Sequence, residues 1–295
     1  MKTNERKLVK KALQGQVMPP KCYGWEVTQT GVPAFLPAVG GITYNVKVGD
    51  PAFGWVADHV EPGVAFTASR DNLKGNPNKA FNAYSCVGNE ARLISGAAKG
   101  RKGVVTGHHG GVEHVLIDFP DEVIRKMTED DKVLITGYGA GLVLEDASAI
   151  SCFGLSPALV RKMKVKMLGE GRVEVPVAAV VPPEMMGSGI GSTDNFKGDY
   201  DIQTQDEDAL KKHKLDKLRI GDFVALRDQD NRYGIGYRKG AMTIGIVVHA
   251  NSFLTGHGPG VQVLMTAPGD VIVPRLARKA NIADYLKIGR GRKSS

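Results

Sequence analysis

Residues Gly88–Phe119 read GNEARLISGAAKGRKGVVTGHHGGVEHVLIDF, and this stretch decides the fold class. Its apolar runs, Ala91–Ser95, Gly103–Gly107 and Val112–Phe119, are too short for helices and are separated by glycine turns, so each is expected to be a strand. Asp131–Tyr138 (DKVLITGY) and Gly141–Leu144 continue the pattern downstream. Upstream, GVPAFLPAVGG, VGDPAFGW and VEPGV place turns around short strands such as Gly41–Val48. The chain carries 37 glycines and only 6% aromatic residues, a balance that favours many tight turns over a helical bundle.

Helices are expected to be few. Leu8, Val9, Ala12 and Leu13 fall at helical spacing and predict one short amphipathic helix over Asn4–Leu13. Ser156-Pro157 opens a second over Ser156–Lys164. The polar stretch Thr67–Ser85 reads as a long loop of the kind that carries function. Around VEVPVAAVVPPEMMGSGIGSTDNFKGDYD the character changes: Pro182-Pro183 blocks regular structure and glycines crowd in after it. A boundary near Gly171 gives an N-terminal β-rich domain, 1–170, and a C-terminal β-rich domain, 171–295, that ends in the basic tail IGRGRKSS. Strands are expected there at Phe223–Arg227, Gly240–Ala250 and Gln262–Met265. The expected fold is mainly β with a few short helices, barrel- or sandwich-like, in a two-part α+β architecture.

Composition narrows the class of protein. At 295 residues, with 42% hydrophobic and 24% charged residues, the chain has enough apolar surface for one large or two ordinary globular domains. No stretch approaches the roughly 20 apolar residues of a membrane span, and the first residues lack the apolar core of a signal peptide. Three widely spaced cysteines, Cys22, Cys86 and Cys152, form no CxxC, which points to a reducing compartment. A soluble cytoplasmic protein is expected. The net charge of +8 permits an anionic partner such as nucleic acid without requiring one.

Three constellations can carry chemistry. Thr106-Gly107-His108-His109-Gly110-Gly111, with Glu113 and His114 after it, holds enough imidazole and carboxylate for a three-ligand metal site. His108 and His109 face opposite ways if the strand continues through them, and a glycine turn at the strand end is the plain alternative. Asp194-Asn195-Phe196-Lys197-Gly198-Asp199-Tyr200-Asp201 gathers three carboxylates in a glycine-flanked loop. It does not match an EF-hand, but it suits a hard cation or acid–base work, and a solvated turn is the alternative. GAMTIGIVVHANSFLTGHGPG, residues 240–260, delivers His249 at a strand end and His257 in the loop beyond. GSGIGS at Gly187–Ser192 is neither a P-loop nor a dinucleotide turn.

In NEARLISGAAKGRKGVVTGHHGG, GSGIGSTDNFKGDYDIQ and the GHGPG segment the chain resembles a bacterial and archaeal family, the one numbered 4438 among domains of unknown function. That resemblance implies a cytoplasmic β-rich homo-oligomer and no particular activity. More distantly, Lys197–Asp201 and Gly240–Ala250 resemble acetamidases and formamidases. Val247 stands where that family has an acid, and Gly256-His257-Gly258-Pro259 replaces its G-D-G-E turn. Arg92–Gly103 resembles the small KOW barrel of ribosomal and elongation proteins, whose KGRKG turn would meet phosphate through Lys99, Arg101 and Lys102.

Three functions remain open. The first is a small-molecule site acting as a metal-dependent amidohydrolase, with Asp199, Asp201 and His249 catalytic. Asp194, Asn195 and His257 then bind ligand, and His108, His109, His249 and Asp201 hold a divalent metal ion. The second is a nucleic-acid-binding module, and the third a structural homo-oligomer. The first requires Asp199 or Asp201 to lie within one ligand's reach of His249 or His257, in a concave site lined by glycine-rich backbone.

Overall fold

The computed structural model describes residues 1–190, 194–196 and 198–292. The end of the GSGIGS turn, Lys197 of the Asp-rich loop and Lys293–Ser295 of the basic tail lie outside the described residues. The fold is mainly β, in two parts.

The first part is a closed six-stranded barrel of β1 (Lys11–Val17), β2 (Val64–Thr67), β3 (Glu90–Leu93), β4 (Lys102–His109), β5 (His114–Asp118) and β6 (Lys132–Gly137), in the order β1-β2-β5-β4-β3-β6. The stretch that opened the sequence reading supplies β3, β4 and β5. Alternation fills the barrel: Leu93, Val105, Ile117, Val133 and Ile135 point inward and are fully buried.

Closure comes from a segment whose periodicity points elsewhere. The expected helix over Asn4–Leu13 is only a 3-10 turn at Glu5–Lys7, after which the chain becomes β1. Leu13 pairs with Ile135 and Gln16 with Thr67, so β1 joins the two free edges of the barrel. The backbone hydrogen bonds of closure outweigh a weak helical pattern whose Val9 is left 68% exposed. The loop expected over Thr67–Ser85 contains helix α1 (Asn76–Tyr84). Buried Asn78 holds it down: its Oδ1 accepts from Thr67 Oγ1 at 2.7 Å and from Ala68 N at 2.9 Å. Phe81 of α1 enters the barrel core over Gly15, where a Cβ would overlap its ring. Gly41–Val48 and Gly141–Leu144 are not strands: positive φ at Gly40, Gly41 and Gly141 bends both segments out of extended geometry.

The second part is built on an open sheet. Its strands follow β7 (Lys166–Gly169) and β8 (Arg172–Val177) and are β9 (Ala179–Val181), β10 (Met186–Ile190), β11 (Asp199–Ile202), β12 (Phe223–Gln229), β13 (Tyr237–Val247) and β14 (Gly260–Ala267). They lie in the order β9-β12-β13-β14-β11-β10, with Ser151–Cys152 added along β14. A smaller sheet joins β7, β8 and β15 (Ile272–Leu276). Four further short helices are α2 (Asp121–Ile124), α3 (Pro157–Lys162), α4 (Glu207–Lys212) and α5 (Ile282–Leu286). Ser156 caps α3 as its Ser-Pro start requires, accepting from Leu159 N. Among the described residues no helix is long and apolar enough to cross a membrane.

The two parts meet where the far end of β4 abuts the sheet. Gln262 of β14 accepts the His108 backbone N–H at 2.8 Å, and Gly107 lies against Val248 so closely that a Cβ would collide with it. Phe81→Ala is expected to cost about 3–5 kcal/mol through the cavity left in the barrel, while leaving the junction with the sheet intact. Urea unfolding of the variant, with near-ultraviolet circular dichroism of its folded state, checks both halves.

Candidate metal centre

Five segments bring their polar side chains to that junction. Asp199 and Asp201 sit two apart on β11 and so face the same way, while Tyr200 between them points into the core and meets Asn231 Nδ2. His109 is the last residue of β4. His249 lies just beyond β13, and His257 in the loop that returns to β14. His59 arrives from the loop before β2 in a left-handed conformation, φ 50°, that a non-glycine residue rarely adopts.

The side chains form two adjoining groups, His109–Asp199–His249 and His59–Asp201–His257. In the second, His59 Nε2 is 3.1 Å from His257 Nδ1 and 3.5 Å from Asp201 Oδ2, and His257 Nδ1 is 3.2 Å from the same oxygen. Three donors bound tetrahedrally to one zinc at about 2.0–2.1 Å would stand roughly 3.3 Å apart. In the first group His249 Nε2 is 3.0 Å from Asp199 Oδ2, and it is 3.6 Å from Asp201 Oδ1. The His109 and His249 rings stack with centroids 4.2 Å apart. Asp201 therefore turns one oxygen toward each group.

The outer nitrogens of three rings are already committed. Glu61 Oε1 accepts from His109 Nδ1 at 2.7 Å, Asp58 Oδ2 from His59 Nδ1 at 2.6 Å, and the Ala250 carbonyl from His249 Nδ1 at 2.8 Å. With Nδ1 donating, a neutral imidazole presents a bare lone pair at Nε2. Lone pairs thus face carboxylate oxygens, a repulsive arrangement until a cation or a proton lies between them. Buried His249 Nε2 makes no aligned hydrogen bond, despite its 3.0 Å approach to Asp199. Outer-shell carboxylates and carbonyls on Nδ1 are the usual means of fixing a metal-binding histidine.

Titration behaviour reflects this crowding. Burial disfavours a charged Asp201, but His249, His257 and His59 outweigh it and hold the carboxyl well below the usual range. Burial likewise opposes a charged His249, yet Asp199 and Asp201 hold it well above the usual histidine value. His109 moves down, driven by burial and then by His249. Glu61 is fully buried, and His114 and His109 overcome that burial to hold it well below the usual value.

Glycine makes the space. A Cβ on Gly260, opposite Asp201 in the β11–β14 ladder, would overlap His249 Nε2 and Asp199 Oδ2. One on Gly189 would overlap Asp201 Oδ2 and His257 Nδ1. In each group the ligand atoms therefore approach a glycine backbone more closely than any side chain would allow. All three residues of the second group, and His109 and Asp199 of the first, border a cavity of about 290 Å³ that Tyr23, Glu26 and Leu254 also line.

Of the residues singled out in the sequence, Asp199, Asp201, His109, His249 and His257 come together. His108 does not. It faces away along the strand, its Nε2 against the Ser85 carbonyl and its Nδ1 against Gln262, and burial pushes its pKa down to about 4. Asp194 and Asn195 are also elsewhere: Asp194 accepts from Phe196 N, and Asn195 Nδ2 donates to the Asn231 carbonyl. Lys99, Arg101 and Lys102 lie at the opposite end of β4, with Arg101 on Glu122 and Lys102 on Glu90, each at 2.8 Å. Sequence reading missed His59, Asp58 and Glu61, which sit in a glycine- and proline-punctuated stretch read only as turns. The acid–histidine neighbours Asp58-His59, two residues before Glu61, were the available signal.

A two-part β fold with a buried histidine–aspartate cluster at its junction is the class that the structure defines. The chain belongs to the DUF4438 family, a domain of unknown function whose N-terminal model matches residues 25–161 and whose C-terminal model matches residues 162–286. It is similar to the protein in the solved crystal structure of TM1086, at 43% sequence identity and a TM-score of 0.90, over 97% of this chain and 99% of that one. Comparison with curated proteins gave no match.

Glu61 is the least replaceable member of the surround, since it also accepts from Gly40 N at 2.6 Å and from His114 Nδ1 at 3.0 Å. Glu61→Ala is expected to destabilise the fold by about 3–5 kcal/mol, the cost of leaving buried partners uncompensated. Glu61→Gln, which keeps the shape, should cost less. Guanidinium unfolding of both variants gives the comparison.

Proposed function

We propose that the protein is a metal-dependent hydrolase acting on a small molecule at the cavity beside His59, Asp201 and His257. The observation that carries this reading is the convergence of four imidazoles on two buried carboxylates, with the buried His249 Nε2 left without an aligned hydrogen bond. Mixed imidazole and carboxylate ligands suit zinc, manganese, iron, cobalt or nickel. A bound divalent ion there would polarise a carbonyl oxygen and lower the pKa of a bound water. A cavity of about 290 Å³ sits at the lower end of small-molecule pockets.

The distant acetamidase and formamidase resemblance, through Lys197–Asp201 and Gly240–Ala250, favours an amide as the bond attacked. In that reaction the water oxygen adds to the carbonyl carbon and the carbon–nitrogen bond breaks. One water proton passes to the leaving nitrogen and the other stays with the carboxylic acid. Glu26 lines the cavity outside both ligand groups and is the candidate proton carrier. Asp199, Asp201 and His249 act here as metal ligands together with His109, and His108 drops out of the set. The nucleic-acid reading has less support, because Arg101 and Lys102 are paired with carboxylates.

Metal analysis of the purified protein tests the reading. A divalent transition ion should be present, and a chelator should remove both the ion and any hydrolysis of a panel of small amides. Restoring the ion at 100 times its Kd should stabilise the fold by about 2.7 kcal/mol, visible as a rise in Tm. His249→Ala should abolish that rise. A wild-type protein that neither retains nor responds to zinc, manganese, cobalt or nickel would end the proposal.

A further inference from the structure

We infer that the centre holds two metal ions at once, bridged by Asp201 and unequal in role: a more deeply buried inner ion that is retained and an outer ion that exchanges and faces substrate. This rests on the metal-dependent reading above. The two ligand groups share no residue, and each packs against its own glycine, Gly260 for the inner and Gly189 for the outer. Between them, Asp201 offers Oδ1 to His249 at 3.6 Å and Oδ2 to His257 at 3.2 Å. One carboxylate reaching two donor sets is the bridging arrangement of two-metal sites.

Burial separates the roles. His109, Asp199 and His249 are all buried, and each is held from behind: His109 by Glu61, His249 by the Ala250 carbonyl, and Asp199 by Gly110 N at 2.6 Å from its Oδ1. Donors so fixed lose little freedom when they bind an ion, and His249, 1% exposed, stands behind the cavity that His109 and Asp199 border. In the outer group His257 is 34% exposed in a loop, and its ring borders the cavity. The outer ion is therefore the one with a coordination position open to water and to a substrate carbonyl. Such a pair differs from a single ion in chemistry: the inner ion holds Asp201 in place, and the outer one meets the reacting atoms.

Cobalt titration of the chelator-stripped full-length protein, followed by calorimetry and visible absorption, tests the inference. The wild type should bind two equivalents per chain in two separable steps. His257→Ala should weaken the outer step by more than about 100-fold, beyond the range of outer-shell changes, and leave the tighter step unmoved. That change does not threaten the fold, since His257 is part-exposed in its loop. Gly260→Ala should remove the tighter step. A single equivalent in the wild type, or loss of both steps on changing His257, would overturn the two-ion inference and leave metal dependence standing. No binding by the wild type would overturn both.

Discussion

Two aspartates on one face of one strand impose a condition that much of the structure answers. Asp199 and Asp201 are almost wholly buried, 3% and 4% exposed, and their like charges lie a strand pleat apart. Isolated carboxylates in such a place would take up protons rather than stay charged. Here histidines come from the barrel end, the loop before β2, the end of β13 and the loop that follows it. Remove the aspartates and there is no reason for four imidazoles to converge at the junction of two sheets.

The answer extends outward by one layer. Glu61 and Asp58 are themselves buried acids, and each is offset by the ring it orients. Glu61 ties His109 and His114 to the Gly40 backbone, so one carboxylate joins the barrel to the loop in front of it. Asp58 accepts from Ser252 Oγ at 2.7 Å and so joins His59 to the loop that carries His257. Across the junction itself His59 faces Asp201 at 3.5 Å, and Asp199 accepts from Gly110 N at 2.6 Å. Polar contacts therefore join barrel and sheet beside the apolar packing of Gly107 on Val248. Rigid placement follows too, since four of the six ligand residues lie on strands or next to strand ends.

Glycine has two distinct uses in the fold. At Gly40 and Gly41 it supplies a left-handed turn. At Gly15, Gly189 and Gly260 the backbone is ordinary and the missing Cβ is what counts, since a methyl would meet the Phe81 ring or the ligand atoms. The second kind cannot be told from the first in a linear sequence, because both appear only as glycine between apolar residues.

Local patterns in the sequence determined the β class, four of the six barrel strands, three strands of the open sheet and the Ser156 cap, because alternation and turn chemistry act over a few residues. They also marked Asp199, Asp201, His249 and His257, through glycine flanking and strand-end position. The strand at Lys11–Val17 and the helix at Asn76–Tyr84 were decided by tertiary structure, which needed an edge closed and a barrel end covered. The choice between His108 and His109 turned on which side of β4 faces the sheet, a matter of one residue in register that the motif itself does not carry. His59, Asp58 and Glu61 became part of the site only through folding: Asp201 lies 142 positions beyond His59, and no local pattern spans that distance. Their chemistry comes from proximity, and proximity between the barrel and the sheet exists only once both are built.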